Sequence, residues 1–395
     1  MAFEMSENYG GFGPARQAAI YLAGLTDPRR RLPVSPELLE TAAQHELAPQ
    51  VFDYVAGGAG GERTARSNLA EFDRWFLVPR QLKDVHERDT RVELFGKTLP
   101  APLLLAPVGA LDIVRPDGDL AVARVAAATG IPMVASALTS HPLEEIATAI
   151  GGANCWFQLY WGPDRDVNLS LVQRAEKAGF SALVVTLDTR ALGWRDRDLG
   201  RGYLPFLGGV GVANYLTDPV FRSRLTKPPE EDLPHAVLEV LRLIGDLAFT
   251  WSDVRFLSER TAMPIVVKGV LHPQDAVEAM EAGANGLIVS NHGGRQVDGS
   301  VPALRALPGV LAETGRRVPV LFDGGIRHGA DVAKALALGA QAVLLGRPYV
   351  WGLAVGGEAG VREVVENLLA EFDLTLALCG VAKSSEFPPE ILLPA

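Results

Sequence analysis

Gly286-Leu287-Ile288-Val289-Ser290-Asn291-His292-Gly293-Gly294-Arg295-Gln296 is the stretch from which the chain is best read. Its first four residues form an apolar run that reads as a buried strand, and from Ser290 onward it reads as a loop. A strand that ends in this way lets one loop aim a histidine and an arginine at the same small molecule. A proton acceptor beside a fixed cation suits chemistry on a carboxylate-bearing substrate. Taken alone, His292 and Arg295 would more often be a capped loop with a solvated arginine, because histidine is common outside active sites.

The same pattern, an apolar run followed by polar residues, recurs along the chain. Strand-like runs lie at 102–109, 132–138, 155–160, 182–188, 264–270, 286–291, 319–325 and 342–347. Most are β-branched and continuous rather than alternating, as expected of strands buried on both faces of a parallel sheet. Helical patterns separate them, for example at 118–128, 143–149, 169–178, 273–282 and 330–338. Gly130, Gly179, Gly283 and Gly339 stand where such helices would end. Eight strand–helix units in series predict an α/β fold, a (β/α)8 TIM barrel. A doubly wound open sheet is the alternative, but the chain has no Gly-x-Gly-x-x-Gly dinucleotide turn.

Ahead of the barrel, residues 1–34 are rich in Gly, Pro and Arg and read as an extended arm on the body or on a neighbouring subunit. Ser35 then caps a helix that has Pro36 at its first position. A second helix at 49–56 stops at Gly57-Gly58, and a third runs from about 62 to 72, giving a small helical cap. Residues 35–395 are thus expected to be one barrel domain. About 75 residues separate Asp188 from Pro264, far more than a usual crossover. Glycines 200, 202, 208, 209 and 211, interleaved with Tyr203, Phe206 and Tyr215, mark this insertion, about 196–250, as an active-site lid. Subunit packing is the other use it could serve.

The 395 residues carry a formal net charge of −10, with 48% hydrophobic and 21% charged residues. No basic patch dominates, which argues against a nucleic-acid surface, and the short run Arg29-Arg30-Arg31 reads as solvated. Cys155 and Cys379 fit no metal spacing and read as buried thiols of a reducing cytoplasm. The acidic start of the chain has no apolar core of a secretory leader, and no apolar run approaches the roughly 20 residues of a membrane span. His45, His86, His141, His235, His272 and His328 form no ligand spacing, so no metal is expected.

In a barrel of this type the catalytic face is the C-terminal end of the strands. The first strand ends in Pro107-Val108-Gly109, the second passes Ser136, and the third presents Gln158 and Tyr160. The fourth leads to Thr186-Leu187-Asp188 with Arg195 beyond, the fifth carries Lys268, and the sixth leads through Ser290 to His292 and Arg295. The seventh ends Asp323-Gly324-Gly325-Ile326-Arg327 and the eighth Gly346-Arg347. The last two ends suit a phosphate: glycines let backbone amides approach an anion and the arginines add charge. Lys268 would then face a part of the cofactor that becomes negative.

With both loops in view, Ser290–Gln296 together with Asp323–Arg327 resembles the signature of the FMN-dependent 2-hydroxy acid oxidases and dehydrogenases. The resemblance extends over about 36–393. Tyr54-Val55-Ala56-Gly57-Gly58, Phe157-Gln158-Leu159-Tyr160, 192–198 and 214–221 look like the lactate 2-monooxygenase branch of that family. The resemblance implies FMN as cofactor, a small L-2-hydroxy acid, most simply lactate, as substrate, and molecular oxygen as acceptor. It implies that His292 is the base, with Asp188 supporting its imidazolium form. Arg195 and Arg295, assisted by Tyr54, would hold the substrate carboxylate, and Tyr160 would stand near the reacting carbon. Pro107, Val108, Gly109, Ser136, Gln158, Thr186 and Ser290 would contact the isoalloxazine or ribityl chain. Lys268 would stabilise the anionic reduced flavin, and Asp323, Gly325, Arg327, Gly346 and Arg347 would hold the ribityl phosphate.

Three positions bear on the product. Gly109 stands where most of the family carries Ala. Leu138 stands where glycolate oxidase has Trp, and Trp161 is expected to bear on substrate preference if it lines the pocket. If the 2-keto acid stays under the lid, lactate would yield acetate, carbon dioxide and water; if the lid opens first, pyruvate and hydrogen peroxide. A quinone-linked dehydrogenase is a further possibility within the fold, and a flavin-free barrel binding a phosphorylated metabolite one outside it. The arm and the long insertion predict a homo-oligomer, and the resemblance implies a tetramer or a multiple of one.

Overall fold

All eight apolar runs become strands: Leu103–Leu105, Met133–Ser136, Cys155–Tyr160, Leu183–Thr186, Ile265–Val270, Gly286–Val289, Val320–Phe322 and Ala342–Leu345. Each pairs in parallel with the next, and the eighth pairs with the first to close the barrel. The structure, a computed structural model, describes residues 10–26 and 32–395; the run Arg29-Arg30-Arg31 lies outside them.

Strand geometry sends alternate side chains to opposite faces, and here that rule separates two cores. Leu104, Val134, Trp156, Val184, Val266, Ile288, Leu321 and Leu344, one from each strand, form an apolar cluster in the barrel lumen. The residues between them join the larger cluster that packs the barrel against its helices. Two residues further along each strand the inward positions are Ala106, Ser136, Gln158, Thr186, Lys268, Ser290, Asp323 and Gly346. An apolar floor thus carries a polar upper layer at the C-terminal end. From below, a hairpin of Val92–Leu94 and Lys97–Leu99 plugs the lumen with Leu94 and Leu99, and Phe95 meets Trp156 edge-on with centroids 5.5 Å apart. This plug is not foreshadowed by the alternation of strands and helices.

The helices end as expected. Gly130, Gly179, Gly283 and Gly339 all have left-handed φ, between 70° and 116°. Ser35 accepts the Leu38 amide at 3.4 Å to cap Pro36–Glu46, and Pro49–Ala56 stops at Gly57. The third cap helix is Arg63–Ala70, tightening into the turn Glu71–Arg74.

Two expectations need correction. Much of the arm is a helix, Phe12–Thr26, laid on the long terminal helix Arg347–Cys379. The Gly13 amide donates to Asp373 Oδ2 at 2.8 Å, and a Cβ on Gly13 would stand 2.7 Å from Ala370 O. Its small residues give little contrast between faces, which hides the helical period. The insertion does not all lie over the barrel mouth. Asn214, fully buried, accepts the Leu143 amide at 2.8 Å and donates to Ala137 O at 3.0 Å and Thr139 Oγ1 at 2.9 Å. Buried Asp218 caps Pro219–Arg224 and takes Ser170 Oγ at 2.7 Å. These stretches belong to the barrel rim. Over the mouth lie 190–209, whose helix Asp196–Arg201 is tied to the cap by Arg197–Glu62 and Arg201–Asp53 pairs at 2.7 and 2.8 Å.

Candidate active site

The polar upper layer is cross-linked. Ser136 Oγ donates to Gln158 Oε1 at 3.0 Å, and Gln158 Nε2 donates to Thr186 Oγ1 at 2.9 Å. Across the lumen, Lys268 Nζ donates to Ser290 Oγ at 2.9 Å and pairs with Asp323 Oδ2 at 2.9 Å. Burial alone would lower the Lys268 pKa, but Asp323 and Asp188 outweigh it and hold the ammonium above its ordinary value. Asp323 Oδ1 is buried and without a partner, so it can accept a hydroxyl from a ligand.

His292 sits just above this layer with a left-handed φ of 57°, a costly conformation for a non-glycine residue. Ser290 Oγ accepts its amide at 3.0 Å, and Asn291 Oδ1 accepts the Gly294 amide at 3.1 Å, which holds the turn. Nδ1 lies 2.9 Å from Asp188 Oδ1 and 3.3 Å from Thr189 Oγ1, leaving Nε2 to the cavity. Burial pushes His292 below the ordinary imidazole value despite Asp188. Asp188 is raised by burial but more strongly lowered by His292 and Lys268. At neutral pH the pair is therefore a neutral imidazole on an ionised carboxylate. Gly269 makes room for it: with φ of 109°, a Cβ there would stand 2.8 Å from Asp188 Cβ.

Arg295 stacks over Tyr54 at 5.2 Å and donates to Tyr54 O and Gly57 O at 2.7 and 2.6 Å. Arg195 Nε donates to Arg295 O at 3.2 Å, and Nη1 faces Asp198 at 3.6 Å. Tyr160 is tilted toward His292 with centroids 6.4 Å apart, and burial together with Asp188 keeps its phenol protonated. Tyr203 and Phe206, from the insertion, close edge-on over the Tyr54 ring at 6.3 and 6.4 Å.

The far end of the cavity is built from Gly324, Gly325, Arg327, Gly346 and Arg347. Gly324 and Gly325 have φ of 112° and 105°, and a Cβ on Gly325 would meet Asn68 O at 2.6 Å. A Cβ on Gly346 would meet nothing nearer than Ala106 Cβ at 4.0 Å, and this glycine immediately precedes the N-terminus of the helix Arg347–Cys379. Arg347 donates to Val55 O, Gly57 O and Gly293 O at 3.1, 2.9 and 3.1 Å. Burial, then Arg295 and Arg327, pushes Arg347 down to about 9; burial, then Arg195, pushes Arg295 down to about 10. Guanidinium groups stay charged in proteins, so burial of these neighbouring arginines leaves positive charge that an anionic ligand would relieve.

One cavity is lined by Tyr54, Pro107, Val108, Gly109, Lys268, His292, Arg295, Asp323, Gly325, Arg327, Gly346 and Arg347. Ser136, Gln158, Thr186 and Ser290 belong to the polar layer of the barrel, and Asp188, Arg195 and Tyr160 flank the His292–Arg295 end. These residues fit FMN: glycine-lined backbone, a helix N-terminus and two arginines for a phosphate, Asp323 for a hydroxyl, and Lys268 for a ring edge that gains charge. Trp161 does not line the cavity. It points outward, 3% exposed, stacked on Phe249 at 5.4 Å, because Tyr160 before it points inward. Sequence reading missed Gln296, whose Nε2 donates to Asp188 O and Ala191 O at 2.7 and 2.9 Å. It also missed the buried Asn68–Asn291 amide pair, 2.7 and 2.8 Å, which ties the cap to the loop of the sixth strand. Gln296 and Asn291 stand among other polar loop residues, where no spacing separates an orienting amide from a solvated one.

The model of the FMN-dependent dehydrogenase family matches residues 43–394. An L-lactate oxidase of Lysinibacillus sphaericus is 42% identical over 342 residues, covering 87% of this chain and 88% of that protein. A 4-hydroxymandelate oxidase of Amycolatopsis orientalis is 42% identical over 343 residues, covering 87% and 93%. Among solved structures, an (S)-mandelate dehydrogenase mutant superposes with a TM-score of 0.83 at 36% identity, covering 91% of this chain and 99% of that one. With this agreement added to the barrel and its anion-seeking cavity, the chain belongs to the FMN-dependent dehydrogenase family and is an FMN-dependent 2-hydroxy acid oxidoreductase.

Proposed function

We propose that the protein oxidises a small L-2-hydroxy acid, lactate foremost, with oxygen as acceptor and with decarboxylation of the product. The observation that carries the reading is the buried His292–Asp188 pair, 2.9 Å apart, beside the arginine at 295 in the same cavity. Bound FMN supplies the acceptor for two electrons. His292 Nε2 takes a proton from the substrate as its α-carbon is oxidised, and Asp188 steadies the imidazolium that results. Arg195 and Arg295 hold the carboxylate with Tyr54 beside them, and Tyr160 offers a protonated phenol toward the reacting carbon. Lys268 is the cation available to charge that builds on the cofactor.

The covered mouth supports decarboxylation. Tyr203 and Phe206 rest on Tyr54, so the 2-keto acid would leave only after 190–209 moves. Hydrogen peroxide formed beside a retained pyruvate converts it to acetate, carbon dioxide and water. The relatives' names support a second reading, a simple oxidase that releases the keto acid and hydrogen peroxide, and the mandelate dehydrogenase a third, with a quinone or other carrier as acceptor. Lactate turnover under air separates them. Acetate and carbon dioxide without peroxide are expected; stoichiometric pyruvate and peroxide would overturn decarboxylation, and slow reoxidation by air would point to the carrier. A panel from glycolate to mandelate, followed anaerobically by flavin bleaching, tests the choice of lactate.

Two further features are part of the proposal. Tyr21, Leu22 and Leu25 are exposed on the N-terminal helix and support a homo-oligomer, testable by light scattering. Cys155 and Cys379 are free and buried, which suits a reducing cytoplasm. No helix among the described residues is long and apolar enough to cross a membrane.

A further inference from the structure

Beside the mouth, the loops after the first and second barrel strands bring together side chains that the reaction does not use. The turn Leu111–Ile113 carries Asp112, Asp117 precedes the helix Gly118–Thr129, and His141 follows the second strand. His141 Nε2 lies 3.6 Å from Asp112 Oδ2 and 3.4 Å from Asp117 Oδ1, and the three atoms lie within 4.8 Å of one another. His141 Nδ1 is held by Glu145 Oε2 at 3.0 Å. Nε2 itself is shielded from solvent and makes no hydrogen bond. Next to it Asp119 is wholly buried; its Oδ2 accepts the Ser140 amide at 2.7 Å, and its Oδ1 has no partner.

This arrangement calls for a cation. In the neutral tautomer whose Nδ1–H donates to Glu145, His141 turns its Nε2 lone pair toward two carboxylates. A proton on Nε2 would serve them poorly, since charge-assisted N–H···O bonds run about 2.7–2.9 Å and neither separation is that short. The same separations suit ligands around an ion: tetrahedral bonds of about 2.0–2.2 Å place neighbouring ligand atoms about 3.3–3.6 Å apart. A carboxylate on the far nitrogen is how metal-bound imidazoles are oriented. The Gly118 amide donates to Asp112 Oδ1 at 3.0 Å, leaving Oδ2 for the histidine side. Arg115, the nearest arginine in the chain, directs its guanidinium toward Gly357 instead.

We propose that Asp112, Asp117 and His141 bind a divalent ion of the zinc class, with solvent as the remaining ligand and Glu145 orienting the imidazole. The ion clamps two loops that also border the cofactor cavity. Gly109 and Leu138 lie on them, and the Ala110 amide already donates to Leu138 O at 2.8 Å. It is a structural site and takes no part in electron transfer.

The test uses the FMN-loaded protein, stripped with chelator and titrated with Zn²⁺ by calorimetry and thermal unfolding. One equivalent should bind and raise Tm, and Co²⁺ in its place should show ligand-field bands to the red of the flavin absorption. His141→Gln should abolish the stoichiometric site with FMN retained, and Glu145→Gln should weaken it about 10–100-fold. If His141→Gln does not fold, Asp117→Asn at the exposed ligand gives the same reading. Zn²⁺ binding unchanged by these substitutions, no shift in Tm, or Mg²⁺ binding in preference to Zn²⁺ would each overturn the proposal.

Discussion

On the proposed reading, His292 is the residue on which the most chemistry turns. Replacing it with Ala should slow anaerobic flavin reduction by about 10²–10⁴-fold while FMN stays bound; undiminished reduction by lactate would remove it from the role of base. The pH dependence has a definite sign. Burial holds the imidazole below its ordinary value of 6.5, so protonation, which occupies the base, happens only at lower pH. The kcat/KM for flavin reduction should therefore fall on acidification along a limb centred below 6.5 and be level just above it. A limb centred clearly above that value would contradict the assignment. Lys268→Met tests the other side of the cavity. It leaves Asp323 and Asp188 without their buried cation, so the flavin's reduction potential should drop and FMN should bind more weakly, read by spectroelectrochemistry and equilibrium dialysis.

At the scale of elements, the first and second strands meet through Gly109. A Cβ there would stand 3.0 Å from both Leu138 Cβ and Leu138 O. Gly109→Ala should thus overpack this junction and cost about 1–3 kcal/mol, seen as a lower Tm. Leu138→Ala in the same chain should restore only part of it, because the carbonyl stays in place; full restoration would mean the side chain alone sets the limit. The glycine is therefore at least as much a matter of loop packing as of room beside the flavin. Gly269 plays a similar part for Asp188, and neither glycine could be understood from its own strand. Trp161 shows the reverse: alternation one residue past Tyr160 turns it outward onto Phe249, so the condition on which it would bear on substrate preference is not met.

For the whole molecule, the lumen layer couples all eight strands. Trp156, 2% exposed, is its largest member and also meets the Phe95 plug. Trp156→Ala should cost about 3–5 kcal/mol, with secondary structure and flavin lost in one transition when circular dichroism and flavin fluorescence are followed together. Separate transitions would show that the cavity is not built on that layer. The helix Phe12–Thr26 belongs to this scale too, since it joins the terminal helix and, through Asp373 and Arg88, the loop under the barrel.

Local chemistry and period determined much on their own. Apolar runs that repeat with helices between them imply the barrel, because a strand buried on both faces needs neighbours on both sides. Polar residues at the run ends imply the catalytic face, so His292, Arg295, Lys268 and both glycine–arginine loops were legible. Only the tertiary structure decided which groups meet across the chain. Asp188 reaches His292 across 104 residues because the fourth and sixth strands flank the fifth in a closed ring. Asp112 reaches His141 through the loops of neighbouring strands, and Asn68 reaches Asn291 because the cap helix Arg63–Ala70 lies against the loop of the sixth strand. Closure of the sheet turns distance along the chain into adjacency at one rim. The helical arm and the anchored half of the insertion stayed hidden for a related reason: they are held by partners far away in the sequence, not by a pattern of their own.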